Sequence, residues 1–175
     1  MKEKKWINRS DIVFFIVAML FVLLARTFIF TPVEVLGASM NPNLVDKERV
    51  FGLKIGQIKR LDVVSFDAPD EPELDYIKRV IGLPGDTVEY KGDVLYVNGE
   101  EIAEPYLDEH KAELAEGQQL TEDFTYTVPE GSYFVMGDNR QNSKDSRTIG
   151  PIKKERIVAN AKVIFWPLNK IGMVK

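Results

Sequence analysis

Residues 76–86 read YIKRVIGLPGD, and the reading of this stretch decides the fold. Tyr76, Ile77, Val80 and Ile81 are strand formers, and the Gly-Leu-Pro-Gly-Asp that follows is a turn, so the pattern is a β-strand stopped by breakers. Two cations, Lys78 and Arg79, sit in its middle. Side chains alternate between the faces of a strand, so the two point opposite ways and one of them faces apolar surroundings. Alternation alone leaves two arrangements open: Lys78 turns inward, or it snorkels to water while Arg79 pairs with an acid. The chemistry differs, because a guanidinium does not deprotonate in a protein, whereas an amine held against an apolar wall loses its proton readily. To act as a base near neutral pH, a lysine must fall by roughly 3 pH units from its ordinary ~10.4, which costs about 4 kcal/mol.

The same strand-and-turn grammar extends outward. Short β-rich runs recur at 33–36, 49–53, 62–66, 76–81, 87–90, 94–97, 124–128, 133–136 and 157–166, each bounded by turn residues. Asn98-Gly99, between LYV (95–97) and EEI (100–102), is a two-residue hairpin signal, and Lys91-Gly92-Asp93 marks another tight connection before it. This spacing is that of an all-β domain. The segment 104–123, EPYLDEHKAELAEGQQLTED, is acidic and poor in β-branched residues, and reads as a surface insertion with one or two helical turns.

Upstream the grammar changes. Residues 12–25, IVFFIVAMLFVLLA, are fourteen apolar residues without a break, and after Arg26 and Thr27 the chain returns to Phe28, Ile29 and Phe30. At ~1.5 Å per residue, 12–30 spans roughly 28 Å, about one hydrocarbon core. Arg26 lies near one end, where it can snorkel to headgroups. A cleaved secretory signal is the competing reading. A cut after Ala38, however, would place bulky Leu36 where a small residue is wanted, well beyond the apolar run. Lys2, Lys4, Lys5 and Arg9 precede the run, which favours a cytoplasmic N-terminus. The expected organisation is a cytoplasmic N-terminus at 1–10, a transmembrane helix at 11–30 and an extracytoplasmic β domain at 31–175.

Composition narrows the chemistry. A net charge of -4 and a pI near 5.2 give no basic field for nucleic acid. With no cysteine and a single histidine, His110, disulfides, thiolate zinc sites and imidazole clusters fall away, and the nucleophiles left are Ser, Thr and Lys. His110 lies between Glu109 and Lys111 in the acidic segment and reads as a solvated loop residue rather than a base. The candidate nucleophile is Ser39 in VLGASMNPNL (35–44), where a strand runs into small residues that leave room for a substrate backbone before Asn-Pro-Asn turns the chain. Lys78 is the candidate base, since Ser-Lys pairs are a known form of the nucleophile-base scheme. A third segment, GDNRQNSKDSRTIG (137–150), follows the strand at 133–136. Its two anions, Asp138 and Asp145, and two cations, Arg140 and Arg147, suit a hydrogen-bonded scaffold beneath a site.

An apolar anchor, GASMNPNL, RLDVVSF, YIKRVIGLPGD and YFVMGDNRQNSKDSR, in this order, resemble the successive motifs of the bacterial type I signal peptidase family, and the single anchor is similar to that of its Gram-positive-type members. The resemblance extends from the anchor to about Gly150. It implies a mainly β fold: an N-terminal transmembrane helix followed by a curved, mostly antiparallel β-sheet catalytic domain of the signal peptidase/LexA-like type. It implies Ser39 as nucleophile, Lys78 as general base, Ser143 orienting the Lys78 amine, Asp145 and Arg147 as a supporting ion pair, and Asp138 and Arg140 holding the loop. The Ser39 N–H would serve the oxyanion hole. Some family members carry a serine two residues before the nucleophile, where this chain has Gly37, so a second donor would come from backbone or neighbouring groups. Asn43 replaces a usual threonine, and Ile149 stands where an aromatic residue is common. The implied partners are signal-peptide-bearing preproteins, bound as an extended strand with small residues one and three positions before the cut, and membrane lipid; no metal, cofactor or nucleic acid is implied. Two other functions compete with this one: an anchored β-domain that binds peptides without cutting them, and a self-cleaving repressor, which shares the Ser-Lys pair but carries a DNA-binding head where this chain has its apolar segment.

Overall fold

Helix α1, Arg9–Phe28, opens the computed structural model, which describes residues 8–174. Lys2, Lys4 and Lys5, on which the orientation expectation largely rests, lie outside the described residues. The Asn8 N–H donates to Asp11 Oδ2 at 3.1 Å, and this satisfies one amide at the helix start. The rest of α1 is apolar on every side and buries nothing: Phe14 is 68 % exposed and Phe21 70 %. At a mean hydropathy of 2.3 over a membrane-length window, it is long and apolar enough to cross a bilayer.

After the helix the chain is mainly β. Its strands are β1 (Phe30–Glu34), β2 (Arg49–Leu53), β3 (Val63–Asp67), β4 (Asp75–Gly82), β5 (Thr87–Lys91), β6 (Val94–Val97), β7 (Glu100–Ile102), β8 (Phe124–Thr127), β9 (Ser132–Met136), β10 (Ile152–Lys153), β11 (Ile157–Trp166) and β12 (Gly172–Met173). Two short helices, α2 (Asp108–Ala112) and α3 (Ser146–Ile149), interrupt them. A large antiparallel sheet runs β1-β2-β11-β3-β4-β9-β10, with β12 added to β11, and a four-stranded sheet runs β7-β6-β5-β8. This is the curved, mostly antiparallel architecture expected.

Each of the nine expected runs carries a strand, and those at 49–53, 94–97 and 157–166 have the expected bounds. The first starts earlier, at Phe30 rather than 33, so Pro32 lies inside it. Because β1 is the edge of the large sheet, with β2 as its sole strand neighbour, Pro32 can omit its N–H there without breaking a ladder. The two-residue strands β10 and β12 were not expected, since two residues carry no period. Segment 104–123 also differs from the surface insertion foreseen, because Glu104, Leu107, Leu120 and Thr121 are buried.

Strand β4 is the hinge between the sheets. Its residues from Ile77 onward are buried, and both cations are inside: Lys78 is 4 % exposed and Arg79 2 %. The choice between an inward Lys78 and an inward Arg79 is therefore settled as both. Strand β4 lies between β3 and β9, with packed side chains on each of its faces. Ile77 joins one apolar cluster with Val33, Met40 and Val50, Val80 a second with Val64 and Phe66, and Ile81 a third with Val88 and Phe134. At the end of the strand, Gly82 touches the small sheet so closely that a Cβ would lie 2.6 Å from Val88 Cγ2 and 2.7 Å from Val128 Cγ2. Gly82→Ala is expected to destabilise the protein by about 1–3 kcal/mol through overpacking. A thermal midpoint in detergent unchanged from wild type would show instead that the two sheets pack loosely here.

Candidate active site

Strand β4 presents Lys78 opposite Val64 of β3, which is fully buried, so the amine has an oily neighbour across the ladder. Its Nζ lies 2.8 Å from Ser39 Oγ and donates to Ile77 O at 2.9 Å. The Tyr76 ring sits 5.2 Å from the same nitrogen. Burial pushes the Lys78 amine down to about 8 from an ordinary 10.5, against the pull of the Asp145 and Asp138 charges, which favour the cation. Such an amine is a usable base near neutral pH, and a carbonyl and a hydroxyl already hold it in place.

Ser39 rides on an irregular loop, 37–44, that other parts of the chain hold in shape. Gly37 turns with φ +81, a left-handed conformation that glycine adopts without strain. The Gly37 N–H is already donated to Asp46 Oδ1 at 2.8 Å, so residue 37, which has no side chain, lends no donor to a reacting carbonyl. From the other side, Asn139 grips the nucleophile itself. Its N–H donates to Ser39 O at 3.0 Å and its Nδ2 to Ala38 O at 3.1 Å. In a planar trans peptide the C=O and N–H point opposite ways, so this second bond turns the Ser39 N–H away from Asn139.

The loop 137–147 closes on Ser39 because residue 137 is glycine. A Cβ there would collide with Ser143 Oγ and lie 2.5 Å from Ser39 O. The Ser143 hydroxyl is enclosed against this glycine and makes no hydrogen bond to Lys78. Asp145 caps α3 and receives Arg147 through Nε at 2.9 Å and Nη2 at 2.8 Å, and the Gly137 N–H at 3.0 Å. Burial opposes its ionisation, yet Arg147 and that N–H hold the carboxyl below the usual carboxylate range. The expected Asp145–Arg147 pair is thus present.

Asp138 and Arg140 do not pair with each other; each reaches a partner outside the loop. Asp138 takes a two-pronged bond from Arg79, Nε to Oδ1 at 2.8 Å and Nη2 to Oδ2 at 2.6 Å, and a third from Asn43 Nδ2 at 3.0 Å. Arg140, fully buried, donates to Glu104 Oε1 at 2.6 Å, to the Tyr90 hydroxyl at 2.5 Å and to Gly137 O at 3.1 Å. The Tyr90 and Tyr106 hydroxyls complete the set by donating to the same Glu104 oxygen, each at 2.6 Å. Glu104, Tyr90, Tyr106, Asn139 and Gly137 were not among the residues singled out from the sequence. The available signal was indirect: a buried Arg79 and a buried Arg140 each demand a carboxylate, but nothing in an acidic segment marks Glu104 above its neighbours. His110 was expected in water; it sits half-buried on α2 with Nε2 2.7 Å from Asn41 O.

A family model described as signal peptidase, peptidase S26, matches residues 6–166. The chain is 47 % identical to signal peptidase I of Bacillus licheniformis, covering 98 % of each protein. It is also 47 % identical to signal peptidase I T of Bacillus subtilis (strain 168), over 91 % of this chain and 86 % of the relative. A solved structure of a signal peptidase I from Enterococcus faecalis V583 is 41 % identical and superposes with a TM-score of 0.59, covering 61 % of this chain and 97 % of that one. With the motifs in order along one β scaffold and these matches running from the apolar helix to the end of β11, the chain belongs to the signal peptidase family, peptidase S26, and is a serine endopeptidase of type I.

Proposed function

We propose that this peptidase cuts signal peptides with a Ser39–Lys78 dyad while anchored in the membrane by α1. The observation that carries the reading is the 2.8 Å contact between a buried, partly neutral amine and the Ser39 hydroxyl. In this mechanism Lys78 Nζ accepts the Ser39 proton as Oγ attacks the scissile carbonyl. The oxyanion forms on the side to which the Ser39 N–H is turned. The Lys78 ammonium then gives its proton to the leaving amine as the C–N bond breaks, which leaves an ester on Ser39. The amine, neutral again, takes a proton from water as the hydroxide attacks the ester, and returns that proton to Ser39 Oγ as the C–O bond breaks, which frees the signal peptide's new carboxylate and restores both members of the dyad. Asp145, Arg147, Asp138 and Arg140 hold the loop that faces Ser39 and do not touch the reacting atoms.

The sheet offers the substrate a place. Strand β4 pairs with β3 over 75–79, but with β9 only from Arg79 onward, so 75–78 have no strand neighbour on that side among the described residues. An extended peptide laid along this edge would present its backbone to Lys78 and Ser39. Topology favours the same substrate. Ser39 follows Phe28, the last residue of α1, by eleven residues, within about 40 Å of the end of the helix at ~3.6 Å per residue, which is where a signal peptide would leave the bilayer. In this reading residues 1–10 are cytoplasmic, 11–30 span the membrane, 31–175 form the outer catalytic domain, and lipid surrounds α1.

Ser39→Ala and Lys78→Met are each expected to abolish cleavage of a labelled precursor in detergent; full activity in either would remove the dyad. Wild-type kcat/KM should rise with pH through a limb near pH 8, as the Lys78 amine loses its proton. A limb that stays near the ordinary lysine value would exclude a neutral amine in the free enzyme. The same burial has a thermodynamic signature of opposite sense. A base whose proton affinity is lower in the folded state than in the unfolded chain destabilises the fold below about pH 8, and this cost disappears as pH rises to 10.5. Lys78→Met should therefore be more stable than wild type at pH 7, by about 3 kcal/mol, with the gap closing toward pH 10.5. Equal stability of the two proteins across that range, in denaturant titrations, would contradict the burial of a titrating amine.

A further inference from the structure

The helical segment after β7 touches the nucleophile's loop at two points. On α2, His110 Nε2 lies 2.7 Å from Asn41 O; a carbonyl can only accept, so Nε2 carries the hydrogen and donates it. Four residues earlier in the segment, Tyr106 O accepts from Asn43 Nδ2 at 2.9 Å. Asn41 and Asn43 follow Ser39 by two and four residues. Asn139 holds the same loop from the opposite flank, at Ala38 O and Ser39 O. The loop that carries the hydroxyl is therefore gripped from both sides; its own backbone belongs to no strand ladder and is held by two turn bonds, Asn41 N–H to Ala38 O and Leu44 N–H to Met40 O, and by the buried Met40 and Leu44.

The grip is useful only if its base is rigid. Tyr106 lies 3.9 Å beneath the Arg79 guanidinium, which is itself locked to Asp138, and its hydroxyl is bound to the buried Glu104–Arg140 pair. Leu107, immediately before α2, is buried. A segment rooted in two buried ion pairs has no alternative place for its charges. The segment carrying α2 is thus a fixed post against which the irregular loop is set.

We propose that His110 is a positioning residue for peptide cleavage: its Nε2–H bond to the Asn41 carbonyl sets the height of the nucleophile's loop and so aims the Ser39 hydroxyl at Lys78. This rests on the reading of Ser39 and Lys78 as the dyad. His110 contacts the loop and not the reacting atoms, so its loss should lower the rate of chemistry and leave substrate binding alone; small displacements of a reacting group are costly in rate.

The test uses the full chain in detergent and a quenched peptide with alanine one and three positions before the cut. His110→Phe keeps a ring and removes the donor, His110→Gln keeps an N–H at similar reach, and His110→Ala serves if the larger ring disturbs folding. His110→Phe or His110→Ala should lower kcat about tenfold, about 1.4 kcal/mol of activation free energy, with KM within about twofold of wild type. His110→Gln should restore kcat to within about twofold. A wild-type kcat in both donor-less variants overturns the proposal, as does a His110→Gln enzyme as slow as His110→Ala. Ser39→Ala, assayed beside them, separates the two readings: activity in that variant would sink the dyad itself, whereas an inactive Ser39→Ala with fully active His110→Phe and His110→Ala would sink the clamp alone.

Discussion

A primary amine enclosed in apolar surroundings, 2.8 Å from a serine hydroxyl, is the constraint that the surrounding structure answers. In water this amine would stay charged and hydrated. It is kept inside because Lys78 belongs to a strand whose neighbours have no freedom to release it: β3 pairs along one side, β9 begins to pair one residue later, and Ile77, Val80 and Ile81 are each locked into a separate apolar cluster. Exposing Lys78 would require β4 to turn over, carrying three core residues into solvent. The burial of hydrocarbon thus offsets the burial of a base.

The ion pairs around the site serve geometry more than stability. A buried pair gains in Coulomb attraction roughly what it loses in desolvation, but an unpaired buried charge is severely destabilising. Arg79 with Asp138, Arg140 with Glu104, and Arg147 with Asp145 therefore act as keyed joints, each admitting one arrangement. The first two join three parts that sequence separates widely, the central strand, the helical segment and the loop 137–147, and the third braces that loop from within; the small sheet is tied in by the Tyr90 hydroxyl. Gly137 completes the assembly by removing the one side-chain atom that would hold that loop off Ser39. The carboxylates also draw the Lys78 equilibrium toward the cation, so the scaffold that positions the site slightly opposes its chemistry.

Helix α1 stands outside this network. It is apolar all round, unburied, and joined to the large sheet by the single residue Ile29 before β1 begins. Such a short link leaves the catalytic domain little reach from a bilayer that holds the helix. Under the proposed function, this suits substrates presented at the same surface, with their cleavage sites extended beside β4.

Sequence by itself determined the elements and the chemistry available to them. Alternation and turn residues located every strand longer than two residues, the apolar run defined the helix, the lack of cysteine together with a lone histidine left Ser, Thr and Lys as nucleophiles, and the order of the motifs pointed, through the family resemblance, to Ser39 and Lys78. These properties are local, readable within a window of ten or twenty residues. Tertiary structure alone decided which faces of β4 are covered, that Arg79 answers Asp138 while Arg140 answers Glu104, that Pro32 lies on a sheet edge, that the Gly37 N–H is taken by Asp46, that Ser143 makes no hydrogen bond to Lys78, and that His110 leaves water to reach Asn41. Periodicity tells which side chains share a face but not what lies against it, and a charge in the sequence carries no mark of its partner. Both are fixed only when segments forty to a hundred residues apart are brought to within 3 Å of one another.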